Sequence, residues 1–137
     1  MRKWARAVHV VVLAMACLAF SACASKVGGK VTMGASEKFT EAEIQAAADC
    51  AKEAFALYEG CELIEMWYDE AKSDEAITRY TTVRDNAENV MVLFSDFEVD
   101  DSGVNPVLTP GTTYTDYMWI MVRDSETGEW TVVDRGY

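Results

Sequence analysis

The sequence predicts an α+β domain in which a long N-terminal helix and a shorter helix pack on a mainly antiparallel, four-stranded sheet. Three observations predict it. A capping-box signature opens an alanine-rich helix at Phe39-Thr40-Glu41-Ala42-Glu43-Ile44. Apolar residues alternate over Asn89–Val99. Two β-rich runs flank the turn Asp124-Ser-Glu-Thr-Gly128, as in a hairpin.

In the first helix, Thr40 caps, Glu43 completes the box, and Phe39 and Ile44 stand at the staple positions. The helix should run to about Tyr58 and stop at Gly60. Ile44, Ala47, Ala48, Ala51, Phe55 and Tyr58 fall on one face, which is small enough to approach a sheet closely. Cys61–Asp69 is rich in β-formers and reads as a strand. Ser73-Asp74-Glu75 offers a cap and two acids for a short second helix to about Arg84. In the next strand Met91, Leu93, Phe97 and Val99 point one way, while Val90, Val92 and Phe94 give way to Asp96 and Glu98 on the other face. Residues 100–111, with two glycines and two prolines, form a loop. Thr112–Arg123 and Glu129–Arg135 complete the sheet. Runs of strands beside helices without βαβ alternation give the α+β class.

Upstream of this domain the chain carries an address. Three of its twelve cations lie in the first six residues, and Ala7–Phe20 is almost wholly apolar. A basic start and an apolar core of about 14 residues have the layout of a secretory signal; a membrane-spanning helix needs about 20. Phe20-Ser21-Ala22-Cys23 follows, and two small residues before a cysteine resemble the lipobox of bacterial lipoproteins. That resemblance implies that residues 1–22 are a signal peptide. It implies that Cys23 becomes the first residue, diacylated with palmitate-type chains. Localisation is then the cell envelope, on the outer side of a membrane. Two acyl chains anchor stably where one is marginal. Residues 24–38 are rich in Gly, Ser and Lys and read as a flexible tether with a reach of about 20 Å. The single domain then covers 39–137.

All 23 acids but only nine of the cations follow Cys23, which leaves a mature charge of −14. Such a chain is repelled by phosphate backbones, so nucleic acid is excluded as a partner. The one histidine, His9, lies in the signal. The mature protein therefore lacks Ser-His-Asp and Cys-His catalysis and histidine-ligated zinc. No cofactor motif is present, no residue is assigned as catalytic, and no metal ligand set is assigned. Asp96–Gly103 is acidic, but neither register of an EF-hand places both its glycine and its glutamate.

Cys50 and Cys61 form an even pair in an exported domain. A disulfide and two apolar thiols are both open readings. Trp67, Trp119 and Trp130 with Tyr117 are a heavy aromatic load for one sheet. They are either core or the lining of a pocket in which Asp116 or Asp134 orients a ligand. Asp116 falls opposite Tyr117 and Trp119, and Asp134 on the face of Trp130 and Val132.

FTEAEIQAAADCAKEAFALYEGCELIEMWYDE (residues 39–70), VMVLFSDFEVD and TYTDYMWIMVRDSETGEWTVVDRGY resemble a group of small bacterial lipoproteins. Their single domain has no assigned function and is similar in outline to the cystatin-like and nuclear-transport-factor-2-like folds. The resemblance implies a curved sheet and carries no catalytic motif. Three functions follow as expectations. The first is a tethered, non-catalytic module that binds a protein or small ligand. The second is a cofactor-independent enzyme using Asp116 or Asp134 in an aromatic pocket. The third is an inhibitor of proteases or toxins that projects residues 100–111 as a wedge.

Overall fold

The computed structural model describes residues 27–79 and 84–137. In chain order the elements are β1 (Lys30–Met33), α1 (Glu41–Phe55), β2 (Cys61–Tyr68), α2 (Glu70–Arg79), a 3-10 turn (Arg84–Asn89), β3 (Val90–Val99), β4 (Thr113–Val122) and β5 (Thr131–Gly136). They form one sheet in the order β1-β2-β3-β4-β5. β1 pairs with β2 in parallel, and the other pairings are antiparallel.

This corrects the predicted fold. The sheet has five strands and is mixed, where four mainly antiparallel strands were expected. The architecture opens on a strand, not on the helix, and α1 ends at Phe55 with Ala56 as its cap. The missed strand lies in the segment read as a tether. Lys30-Val-Thr-Met33 has only two apolar residues and sits between Gly28-Gly29 and Gly34, too little for a period-2 signal. Pairing with β2 holds it: Lys30 lies opposite Glu65 and Thr32 opposite Trp67. Val31 packs on the core, and the Thr32 hydroxyl donates to Glu65 Oε1 at 2.6 Å. Gly34 closes the strand by donating its N–H to the Tyr68 carbonyl at 3.2 Å. A Cβ there would lie 2.5 Å from that oxygen, so the approach needs glycine.

α1 begins as its residues dictate. The Thr40 hydroxyl accepts the Glu43 N–H at 3.2 Å, and Glu43 Oε2 accepts the Thr40 N–H at 2.7 Å. Ile44, Ala47, Ala48, Ala51 and Phe55 are buried on the sheet. They meet Met91, Leu93, Phe97, Trp119 and Met121, and this face carries the main core. Tyr58 leaves the helix after Phe55, and its hydroxyl pairs with that of Tyr117 at 3.1 Å.

α2 starts at Glu70, earlier than Ser73 predicted. Asp69 supplies the cap, its carboxylate accepting the Lys72 N–H at 3.0 Å. Ser73 is fully buried, and its hydroxyl accepts the Val92 N–H at 3.0 Å. The pairing of β2 with β3 ends at Trp67 and Phe94, so the Val92 amide lies beyond its neighbour strand and α2 supplies the acceptor. Ala76 and Ile77 cover Val90, Val92, Phe94 and Ile120, a smaller second core on the other face of the sheet.

Candidate functional site

α2 covers only part of its face. Past Phe94, the sheet surface of β2, β3 and β4 is open and forms a groove of about 770 Å³ lined by Thr32, Glu65, Trp67, Glu70, Asp96 and Asp116, among others. Trp67, half-buried, stacks on Phe94 with ring centroids 6.1 Å apart. Around this aromatic step stand five carboxylates: Glu65, Asp69, Glu70, Asp96 and Asp116.

Each has a defined setting. Glu65 takes the Thr32 hydroxyl. Glu70 accepts the Ser36 hydroxyl and, at 3.1 Å, the Glu37 N–H. The Ser36 hydroxyl, with these amides, holds the Glu70 carboxyl below the usual 4.5. Asp96 accepts the Asp116 N–H at 3.0 Å. Asp116 itself has φ 53° at the irregularity where β4 crosses β3 between Ser95 and Phe97. Few side chains other than Asn and Asp take that conformation readily. Two lysines reach the carboxylates that line the groove, and Lys30 Nζ lies 4.0 Å from Glu65 Oε1. Lys72 Nζ lies 3.4 Å from Asp116 Oδ1 and 5.7 Å from the centre of the Phe94 ring. An ammonium over an aromatic face and beside a carboxylate is the arrangement that recognises organic cations.

The expected pocket residues are divided by the sheet. Trp67 and Asp116 are brought together in the groove. Tyr117, Trp119 and Trp130 lie on the opposite face in the main core, each less than a tenth exposed. The alternation that put the aromatics of β4 on one face is the alternation that buries them under α1. Trp119 Nε1 donates to Ser95 Oγ at 2.9 Å. Asp134 is exposed on β5 and is not on the face of Trp130 and Val132. Val132 pairs with Met121 but Asp134 with Ile120, across an irregularity that gives β5 one extra residue. Arg135 therefore takes the α1 face, 5.1 Å over the Tyr58 ring. Asp116 and Asp134 are both exposed, so neither sits in the enclosed apolar cavity that the enzyme reading required.

Cys50 and Cys61 are free thiols. α1 turns Cys50 toward β5, where its thiol donates to the Trp130 carbonyl at 3.2 Å. Cys61, at the start of β2, contacts the Glu59 carbonyl. Burial pushes both thiols above their ordinary value, with Asp100 adding to the effect at Cys61 and Glu53 at Cys50. Residues 100–111 expose Val104 and Val107 but are tied down. Asn105 accepts the Val107 and Leu108 amides at 3.0 Å each, and its side-chain amide donates to the Glu59 carbonyl. Asp100 is exposed and accepts the Ser102 N–H at 3.0 Å. Among the described residues no three His, Cys, Asp or Glu side chains are grouped to hold a metal ion. Residues 1–26, with His9 and Cys23, lie outside the described residues, and no described helix is long and apolar enough to cross a membrane.

The sequence reading missed Glu65, Phe94 and Lys72, which stand with Trp67 and Asp116 at this site. The alternation along β3 does place Phe94 and Asp96 on one face. Their partners come from β2 and α2 through a register shift between Leu63 and Glu65, which no local pattern encodes. Comparison of the chain with protein-family models, with curated proteins and with solved structures finds no match.

Proposed function

We propose that this chain is an extracytoplasmic protein anchored through lipid on Cys23, and that its domain is a non-catalytic binding module. Its groove over β2, β3 and β4 takes a cationic group of a partner, either a basic side chain or an organic ammonium. One observation carries the choice of ligand: Lys72 occupies the aromatic and carboxylate site from within the chain. The site thus already holds the chemistry it would recognise. Carboxylates flanking a half-exposed tryptophan would supply attraction and a flat contact surface. The mature charge of −14 favours the same class of partner and speeds its approach. The Phe20-Ser21-Ala22-Cys23 sequence supports the anchor.

The test is a titration of the protein with a lysine-rich peptide and with tetramethylammonium, followed by tryptophan fluorescence. Trp119 and Trp130 are buried, so a response that disappears in Trp67→Phe reports the groove. Asp96→Asn should weaken binding several-fold, and added salt should weaken it further. Binding that ignores both changes would place the ligand elsewhere, and no binding of either probe would end the cation reading.

A further inference from the structure

We infer that the end of the domain bearing Leu57 and Val107 rests on the surface of a zwitterionic phospholipid bilayer and holds the aromatic step of the groove clear of it. This rests on the lipid anchor at Cys23 proposed above, and goes beyond it in fixing which end of the fold faces the membrane.

The chain enters the fold at that end. β1 runs parallel to β2, so both strands start at the same end of the sheet. Val27 and Gly28 lie beside Ala56, Tyr58 and Cys61 at the close of α1 and the start of β2. Lys52 Nζ fixes the segment by donating to the Gly29 carbonyl at 3.1 Å. Only three residues, 24–26, lie between Cys23 and Val27, which makes four Cα-to-Cα steps. Even fully extended they reach about 14 Å. A tether running to residue 38 would let the domain tumble freely; the incorporation of Lys30–Met33 into the sheet removes most of that freedom.

The surface beside this entry point is apolar. Leu57 is 79% exposed, Val107 86% and Val104 49%. The segments that carry them are joined, because Asn105 Nδ2 donates to the Glu59 carbonyl at 3.4 Å. Together with Pro106, Leu108 and Arg135, Leu57 and Val107 rim a shallow cup of about 370 Å³. Single exposed aliphatic residues are ordinary, but a grouped set marks a contact surface. A short leash ending in acyl chains says what that surface meets.

Charge selects the lipid. The Arg135 guanidinium lies over the Tyr58 ring and makes no ion pair with a carboxylate among the described residues, which leaves its N–H groups to reach a phosphate. Glu59, Glu98, Asp100 and Asp101 are exposed at the same end. A net anionic surface would repel them, whereas a zwitterionic one presents phosphate without net charge. Trp67 lies six residues along β2 from Cys61, about 20 Å from this end. The aromatic step of the groove therefore stands clear of the bilayer surface.

The full chain, processed in a bacterial host and reconstituted in phosphatidylcholine vesicles, tests this. With Cys50 and Cys61 replaced by serine, an environment-sensitive fluorophore is attached at Val107→Cys, or at Thr78→Cys on the exposed face of α2. Aqueous iodide should quench the Thr78 probe several-fold more than the Val107 probe, and the Val107 emission should shift to the blue. Adding Leu57→Asp should return the Val107 probe to water. Equal quenching at both positions, with flotation on vesicles still dependent on Cys23, overturns the orientation while the anchor stands. Failure of the chain to float in a Cys23-dependent way overturns both. Protection at Val107 that grows when phosphatidylglycerol is added overturns the zwitterionic assignment.

Discussion

The carboxylate of Glu43 meets the guanidinium of Arg123 at 2.7 Å, and this contact joins the cap of α1 to the end of β4. Arg123 is almost wholly buried. It also donates to Asn89 Oδ1 at 3.2 Å and to the Glu126 carbonyl at 3.1 Å, and it lies 4.7 Å from the Trp130 ring centre and 5.5 Å from that of Phe39. Arg123→Met should cost about 3 kcal/mol by urea denaturation, because Glu43, Asn89 and the Glu126 carbonyl lose a shared donor.

The same pair makes stability depend on pH. The Arg123 hydrogen bond, with the Thr40 amide, lowers the Glu43 pKa below 4.5 in the folded state. A depressed carboxyl pKa contributes stability that is whole above the unfolded value and is lost as pH falls through the folded one. The difference in unfolding free energy between wild type and Glu43→Gln should therefore be largest at neutral pH. It should shrink steadily below about pH 4.5. A difference that persists at pH 2.5 would assign the loss to packing rather than to charge.

The Ser73 hydroxyl of α2 completes the backbone pairing of β3 by accepting the Val92 N–H. Ser73→Ala should cost about 1–3 kcal/mol, since it leaves the buried Val92 amide without an acceptor. Amide exchange at Val92 should speed up more than at Leu93, and equal protection at both would show that another group had taken over.

Asp116 sits at φ 53°. Asp116→Asn should hold that conformation with little loss, whereas Asp116→Val should cost about 1–2 kcal/mol in thermal unfolding. The Lys72 ion pair does not confuse the comparison, because both partners are more than half exposed and such pairs contribute little.

Removing the internal cation should improve binding. Lys72→Ala vacates the space beside Asp116 and over Phe94, so a lysine-rich peptide should bind several-fold more tightly than to wild type. Unchanged affinity would mean that the peptide lies elsewhere on the acidic surface.

Much of the main core was legible in the sequence. The Thr40–Glu43 box and the Ile44, Ala47, Ala48, Ala51, Phe55 stripe specify α1 locally, and the alternation in Val90–Val99 assigns both faces of β3. The misreadings share a cause. Lys30–Met33, Ser73 and Asp134 take their places from partners distant in the chain: β2, the Val92 amide, and the extra residue that shifts β5 against β4. The candidate site was half legible for the same reason. Trp67 and Asp116 were singled out by type, but the side chains that stand with them arrive through strand register and through the start of α2.

The parallel strand at the front of the domain has a practical consequence for anyone shortening the chain. A version cut at Phe39, where helix signals begin, would strip β1 from its neighbour and leave one side of β2 with a row of unpaired amides and carbonyls. Such a border is a template for strand addition between molecules. Aggregation of a fragment trimmed in this way would reflect the missing four residues rather than any defect of the domain itself.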